Sequence, residues 1–175
     1  MGRIHNMRVV SRILAFVALA SVLAVPAFSQ GKAGLMTPEE VKKAAPKDYF
    51  YRGQSATTQV RNCGGIRATQ DGKMVLACLV DTSGYSADIQ QKYMGLLITE
   101  VKLDVGGSNL APGEYGFGFT KGDQLVVTDV GANDLFSVKA TTDDNLKRPV
   151  PLKIVEDGGA YKLYAGKKWV SLKAQ

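Results

Sequence analysis

Hydrophobic positions from residue 57 to the end of the chain recur in short runs, often at every second residue, which is the pattern of β-strands. Residues 74–80 are almost all apolar, which predicts a central strand buried on both faces. In residues 100–105 apolar and charged residues alternate, which predicts a strand with one wet face. The same reasoning predicts strands over residues 115–119, 124–130, 135–140, 152–156, 160–164 and 168–173.

Glycine-containing turns such as Asp71-Gly72 and Pro112-Gly113 separate these runs, so hairpins dominate the connections. About eight or nine closely spaced strands indicate an antiparallel β-sandwich or a small β-barrel. We therefore predict an all-β fold with one or two short helices. Residues 57–175 form a single β domain in this prediction.

Two short segments have helical signals. Thr37, Pro38 and Glu40 match a capping box with proline at the first helical position, and Pro46 ends the helix. This places one short helix in an N-terminal segment, residues 30–56. Ser86 is a candidate cap for a second helix between strands.

Residues 1–29 have the features of a secretory signal peptide: arginines, then an apolar run, then small residues. Cleavage is predicted before Gln30, and an earlier site after Ala24 is an alternative. An uncleaved anchor is the other interpretation, but the apolar run is shorter than the roughly 20 residues that a membrane span needs. We predict an exported protein, periplasmic or extracellular, with no stable membrane anchor after cleavage.

Removing the signal peptide changes the charge and the candidate chemistry. It takes away three arginines and no acidic residue, which halves the formal charge of +6 and argues against nucleic-acid binding as a function. The single histidine, His5, is removed with it. Without histidine, serine and cysteine nucleophiles lack their usual base, so we predict a noncatalytic protein with no cofactor and no metal site.

The two cysteines lie on either side of the Asp71-Gly72 turn. A four-residue loop over residues 69–72 would pair Ala68 with Lys73 and bring Cys63 opposite Cys78. A shorter loop with a bulge at Gly64-Gly65 would have the same effect. Two cysteines in an exported chain favour a disulfide.

A reactive Cys63 thiol is the alternative. Gly64 and Gly65 would let a ligand approach the backbone, and Arg61 or Arg67 would have to stabilise the thiolate. The protein would then be a small thiol-dependent enzyme or redox protein. The spacing of the two cysteines is not that of a C-x-x-C redox motif, which favours the disulfide.

Two surfaces are candidates for ligand binding. The aromatic candidates, Tyr49, Tyr51 and Trp169, either anchor the core or form an exposed platform for a glycan or a peptide. The basic candidates either bind polyanions or keep edge strands from pairing with other molecules; they are Lys147, Arg148, Lys167 and Lys168. The partner would be a cell-envelope glycan or another envelope protein.

The segment LAPGEYGFGF carries the pattern L-x-x-G-x-Y at Leu110, Gly113 and Tyr115. It resembles the signature with which secreted prealbumin-like and carboxypeptidase-regulatory-like β-sandwich domains enter a strand. The resemblance covers about ten residues and implies a noncatalytic binding or structural module outside the cytoplasm. The sequence thus predicts an exported, disulfide-stabilised β domain that binds a ligand or a structural partner.

Overall fold

The computed structural model describes residues 32–175, so the predicted signal peptide and its cleavage site lie outside the described residues. Two helices are present, α1 (Pro38–Ala44) and α2 (Ala87–Lys92). The strands are β1 (Gly34–Leu35), β2 (Asp48–Tyr51), β3 (Gln54–Arg67), β4 (Met74–Val80), β5 (Gly95–Thr99), β6 (Leu103–Val105), β7 (Ser108–Leu110), β8 (Gly113–Phe119), β9 (Gln124–Thr128), β10 (Asp134–Lys139), β11 (Thr141–Thr142), β12 (Val150–Asp157), β13 (Ala160–Gly166) and β14 (Lys168–Ala174).

The strands form two antiparallel sheets, which confirms the predicted all-β fold and selects the sandwich over the barrel. The larger sheet has the order β1-β3-β4-β5-β8-β9-β10, with β2 also paired to β3. The smaller sheet has the order β12-β13-β14-β6-β7, with β11 also paired to β14. Consecutive strands joined by tight turns account for most pairings, as in a hairpin-built fold.

The main core lies between the two sheets. Side chains that alternate along facing strands fill it, and Phe117, Leu97 and Leu163 are among those with no exposed surface. Alternation places every second residue of a strand on the inner face. The contact between the sheets runs from β12 against β3 at one side of the sandwich to the β6–β7 turn against β10 at the other, where Val138 packs on Gly106.

A second core covers the outer face of the larger sheet. Helix α1, strand β2 and the segment around α2 pack on this face, and Tyr51, Tyr85 and Tyr93 form its centre. Strand β4 lies between the two cores, and four of its seven residues in succession are buried. The predicted central strand with two buried faces is therefore confirmed.

The glycines of β8 explain how the second core approaches the sheet. A Cβ on Gly116 would lie 2.5 Å from a ring carbon of Tyr51, and one on Gly118 would lie 2.2 Å from the backbone oxygen of Lys92. The glycine face therefore accommodates Tyr51 and the end of α2, while Phe117 fills the main core on the opposite face.

The strand predicted over residues 100–105 is wrong in its extent. The structure has β5 just before it and only the three-residue β6 within it. Between them the chain leaves the larger sheet for the smaller one, and Thr99 Oγ1 donates a hydrogen bond to Val101 O, 2.6 Å away, at this corner. Val101 is still buried, so the apolar alternation persists although the strand is interrupted.

Strand β3 begins at Gln54 and pairs with β2, so strand structure reaches into the predicted N-terminal segment. The first predicted helix is confirmed with its capping box. The Glu40 backbone N–H donates to Thr37 Oγ1 and the Thr37 N–H donates to the Glu40 carboxylate, at 3.3 Å and 2.8 Å. The second helix is also present, but Ser86 makes no side-chain cap hydrogen bond.

Candidate ligand groove

Cys63 and Cys78 form a disulfide, as predicted. Their residues are direct partners across β3 and β4, with 4.0 Å between the Cα atoms. The Ala68 N–H donates to the Lys73 oxygen at 2.7 Å, which closes the predicted loop over residues 69–72. The four-residue loop, and not a bulge at the glycine pair, sets the register.

A bulge in β3 lies on the other side of the disulfide. Thr58 pairs with Val80 and Cys63 with Cys78, so residues 59–62 stand opposite one residue of β4. The side-chain amide of Gln59 donates through Nε2 to Val80 O at 3.1 Å and thereby substitutes for part of the missing ladder. A bulge bends its strand and changes the direction of its side chains. Here it places Val60 and Arg61 beside β12.

The two glycines after Cys63 let other elements approach β3 from both faces. A Cβ on Gly64 would lie 2.9 Å from a side-chain carbon of Ile154, and one on Gly65 would lie 2.6 Å from the sulfur of Met36. The space that the sequence suggested for a ligand is therefore filled by Ile154 on one face and by Met36 on the other.

A groove of about 620 Å³ lies along this side of the sandwich. Strand β1 and helix α1 form one wall, the β3 bulge and the disulfide form the second, and β12 forms the third. Its apolar lining includes Leu35, Met36, Val41, Val60, Leu152 and Ile154. The volume is within the range of small-molecule sites. We call it the N-terminal groove.

The charged groups of the N-terminal groove are all cations. Lys42, Arg61 and Lys153 line it, and no aspartate or glutamate is among its lining residues in the described part of the chain. Four other basic residues, Arg67, Lys92, Lys162 and Lys168, form salt bridges, whereas these three form none within residues 32–175. The groove therefore combines an apolar interior with unpaired positive charge.

The wall built from α1 is held by a few polar contacts. Arg67 of β3 forms a salt bridge and a short hydrogen bond with Glu40. The hydrogen bond from the Thr37 backbone N–H, and after it that from Arg67, lowers the pKa of Glu40 below its usual range. Val41 is the one buried residue of the helix. A helix this short has little stability by itself, so these contacts keep the wall in place.

The tyrosines predicted as a possible ligand platform do not form one. Tyr49 and Tyr51 are 4% and 1% exposed, because alternate residues of β2 point onto the larger sheet. Tyr51 stacks on Tyr93 with ring centres 3.8 Å apart, and its hydroxyl is 2.8 Å from Thr128 Oγ1. Burial raises the pKa of Tyr49 and of Tyr93. Their role in the structure is to build the second core.

Trp169 lies on the outer face of the smaller sheet, half-buried beside Tyr164. The ammonium group of Lys162 lies 4.4 Å from the centre of the Trp169 ring, in a cation–π contact. The Tyr164 hydroxyl donates to the Asp143 carboxylate at 2.9 Å. Lys162 covers the ring against which a sugar would have to stack.

The predicted basic residues are not equivalent. Lys168 points into the space between the sheets, where its Nζ donates to Thr120 O at 2.8 Å and lies 2.9 Å from the Asp123 carboxylate. It therefore links the smaller sheet to the β8–β9 turn. Lys147 and Arg148 are exposed and Lys167 is half-buried. None of these three residues lines the N-terminal groove.

Comparisons with protein families, with curated proteins and with solved structures found no match. In residues 32–175 no helix has the length and hydropathy that a membrane span requires.

The Tyr115 hydroxyl donates to Ala111 O at 3.0 Å, which ties the start of β8 back to the preceding turn. This contact gives Tyr115 of the L-x-x-G-x-Y pattern a structural role, and the resemblance to secreted sandwich families stays a prediction.

The site predicted for a reactive thiol, Arg61 with residues 63–65, lies in the groove lining. No motif connects it with the other walls, which include Lys42 of a helix and Lys153 of an edge strand. The one available signal was the proline-flanked segment around Leu152, which predicts an edge strand. Which strand that edge faces depends on the packing of the two sheets.

Proposed function

We propose that this protein is an exported, noncatalytic binding protein whose ligand occupies the N-terminal groove. The observation that carries the proposal is an open groove of about 620 Å³ with an apolar interior, bounded by parts of both sheets and by α1. Concave, mostly apolar sites with a few placed charges are the usual form of ligand sites.

Export is supported by the predicted signal peptide and by the disulfide, since structural disulfides are typical of oxidising compartments. A noncatalytic role is supported by the groove lining. Its titratable groups are two lysines and an arginine, and general acid–base pairs usually include a carboxylate or a histidine. Cys63 is in the lining but is bonded to Cys78, so it offers no thiolate there.

The test is a binding screen by amide chemical shifts on the isotope-labelled exported protein, with a panel of small ligands that differ in charge and hydrophobicity. We expect at least one member to shift the amides of Leu35, Val60 and Leu152 together. The variant Val60→Trp, which fills the groove, should abolish the shifts. Val130→Trp is the matched control, because Val130 is exposed on the β9–β10 turn. Binding that Val60→Trp does not reduce would refute the proposal.

A further inference from the structure

The neutral lining of the N-terminal groove limits what can bind there. Apart from its three cations, the groove is lined by aliphatic side chains, a methionine, a proline, glycines and the disulfide cysteine. No serine, threonine, asparagine, glutamine or tyrosine is among the described lining residues. A glycan or an extended peptide would bring hydroxyl or amide groups against this surface, and such groups are costly to bury without partners.

The exposure of individual side chains indicates a ligand with an apolar chain. Leu35 is 43% exposed at the groove and is one of only four large hydrophobic side chains that are exposed in residues 32–175. Leu152 and Ile154 of the β12 wall, in contrast, are 8% and 7% exposed. An apolar chain that lay from the β12 wall to Leu35 would remove the exposed surface of Leu35 from water.

The three cations indicate the charge at the other end of the ligand. Lys42 projects from α1, Arg61 from the β3 bulge and Lys153 from β12, so each wall supplies one positive group. None has a carboxylate partner among the described residues. An anionic head group would find charge complementarity at the rim, whereas a cationic one would be repelled.

We propose that the N-terminal groove binds a single-chain anionic amphiphile, with its acyl chain along Val60, Leu152 and Ile154 and its carboxylate among Lys42, Arg61 and Lys153. This inference rests on the proposed function, since it specifies the ligand of the same groove. Binding would be noncovalent and would involve no change in the disulfide.

Dodecanoate, used below its micellar concentration, is the probe that tests this inference, with 1-dodecanol as its uncharged counterpart. Dodecanoate should shift the amides of Leu35, Val60 and Leu152 and bind more tightly than dodecanol. The triple variant Lys42→Gln, Arg61→Gln, Lys153→Gln should weaken dodecanoate binding roughly tenfold, as three exposed ion pairs of ordinary strength would. Raised salt should weaken it as well.

The matched control removes the same number of charges elsewhere, in the variant Lys147→Gln, Arg148→Gln, Lys167→Gln. We expect it to change dodecanoate affinity by less than about twofold, because these residues lie outside the groove. An equal loss in both triple variants would overturn the inference and favour a nonspecific basic surface.

The two proposals can fail separately. If dodecanol and dodecanoate bind equally and the groove triple variant has no effect, the ligand class is wrong, although a groove that binds supports the proposed function. If an acidic peptide shifts the groove amides and dodecanoate does not, the ligand class is again overturned. If Val60→Trp leaves dodecanoate binding unchanged, the amphiphile binds elsewhere and the inference is refuted.

Discussion

Reduction of the Cys63–Cys78 bond should lower the free energy of unfolding by about 3 kcal/mol. The bond closes a chain separation of 15 residues. Loop-closure entropy for a loop of this length corresponds to about 3 kcal/mol at 25 °C, because the crosslink restricts the unfolded chain. The folded register needs no crosslink to form, since the loop at residues 69–72 and buried Ile66 already fix it.

The assay is urea unfolding of the oxidised and the reduced protein, followed by far-ultraviolet circular dichroism. The state of the thiols is checked by intact mass after alkylation, with and without reductant. The midpoint should fall on reduction, and the slope should rise because the reduced unfolded chain exposes more surface. The double variant Cys63→Ala, Cys78→Ala is the control, and reductant should not change its midpoint.

Two results would refute this reasoning. A stability difference below about 1 kcal/mol between oxidised and reduced protein would mean that loop closure contributes little here. Alkylation of both cysteines before reduction would mean that the bond is absent in the exported protein. The reactive-thiol interpretation of Cys63 would then become the leading one.

Four further predictions concern the second core and helix α1. Tyr51→Phe should cost about 1–3 kcal/mol of unfolding free energy, because it leaves buried Thr128 Oγ1 without its partner. Tyr93→Phe should be near neutral, because the Tyr93 hydroxyl has no partner among the described residues. Chemical denaturation measures both. Gly116→Ala should cost about 1–3 kcal/mol by overpacking Tyr51, and Gly122→Ala, where nothing lies within 4 Å, should change stability little; equal melting temperatures would contradict this. Thr37→Ala should destabilise α1 by about 1 kcal/mol, seen as faster exchange of the Ala45 amide. Because the pKa of Glu40 is lowered, its contribution to the stability of α1 is complete above the ordinary glutamate pKa of about 4.3 and is lost as the pH falls through the lowered value. An unchanged protection factor of the Ala45 amide across that range would contradict the assignment.

Local sequence signals predicted the elements whose structure is decided locally. The capping box at Thr37 needs only four residues, and the register of the cysteine hairpin follows from one loop. The apolar run of β4 implies two covered faces wherever the covering elements come from. The predictions of these features were confirmed because short-range sequence signals are enough to determine them.

Features that depend on the packing of distant segments could not be read in the same way. Residues 100–105 alternate as a strand does, but the chain changes sheets there, and alternation only reports which side chains face the core. For Tyr49 and Tyr51 the sequence favoured a core anchor but left a platform open, because the glycine face of β8 that receives Tyr51 comes from a distant segment. Trp169 was ambiguous for the same reason, since Lys162 reaches its ring from a neighbouring strand.

The groove and the disulfide are connected through the bulge of β3. The bulge inserts residues that the ladder with β4 cannot pair, and such an insertion is stable only if the strand is held on both sides of it. On one side, the Asp81 N–H donates to Thr57 O at 2.9 Å. On the other side, the disulfide fixes Cys63 opposite Cys78. Arg61 precedes this bond by two residues and lines the groove together with β12. The crosslink therefore adds a covalent constraint next to the bulge, in a register that the 69–72 loop already sets. In this structure the cysteine pair is more than a stabilising crosslink, since it also holds one wall of the groove.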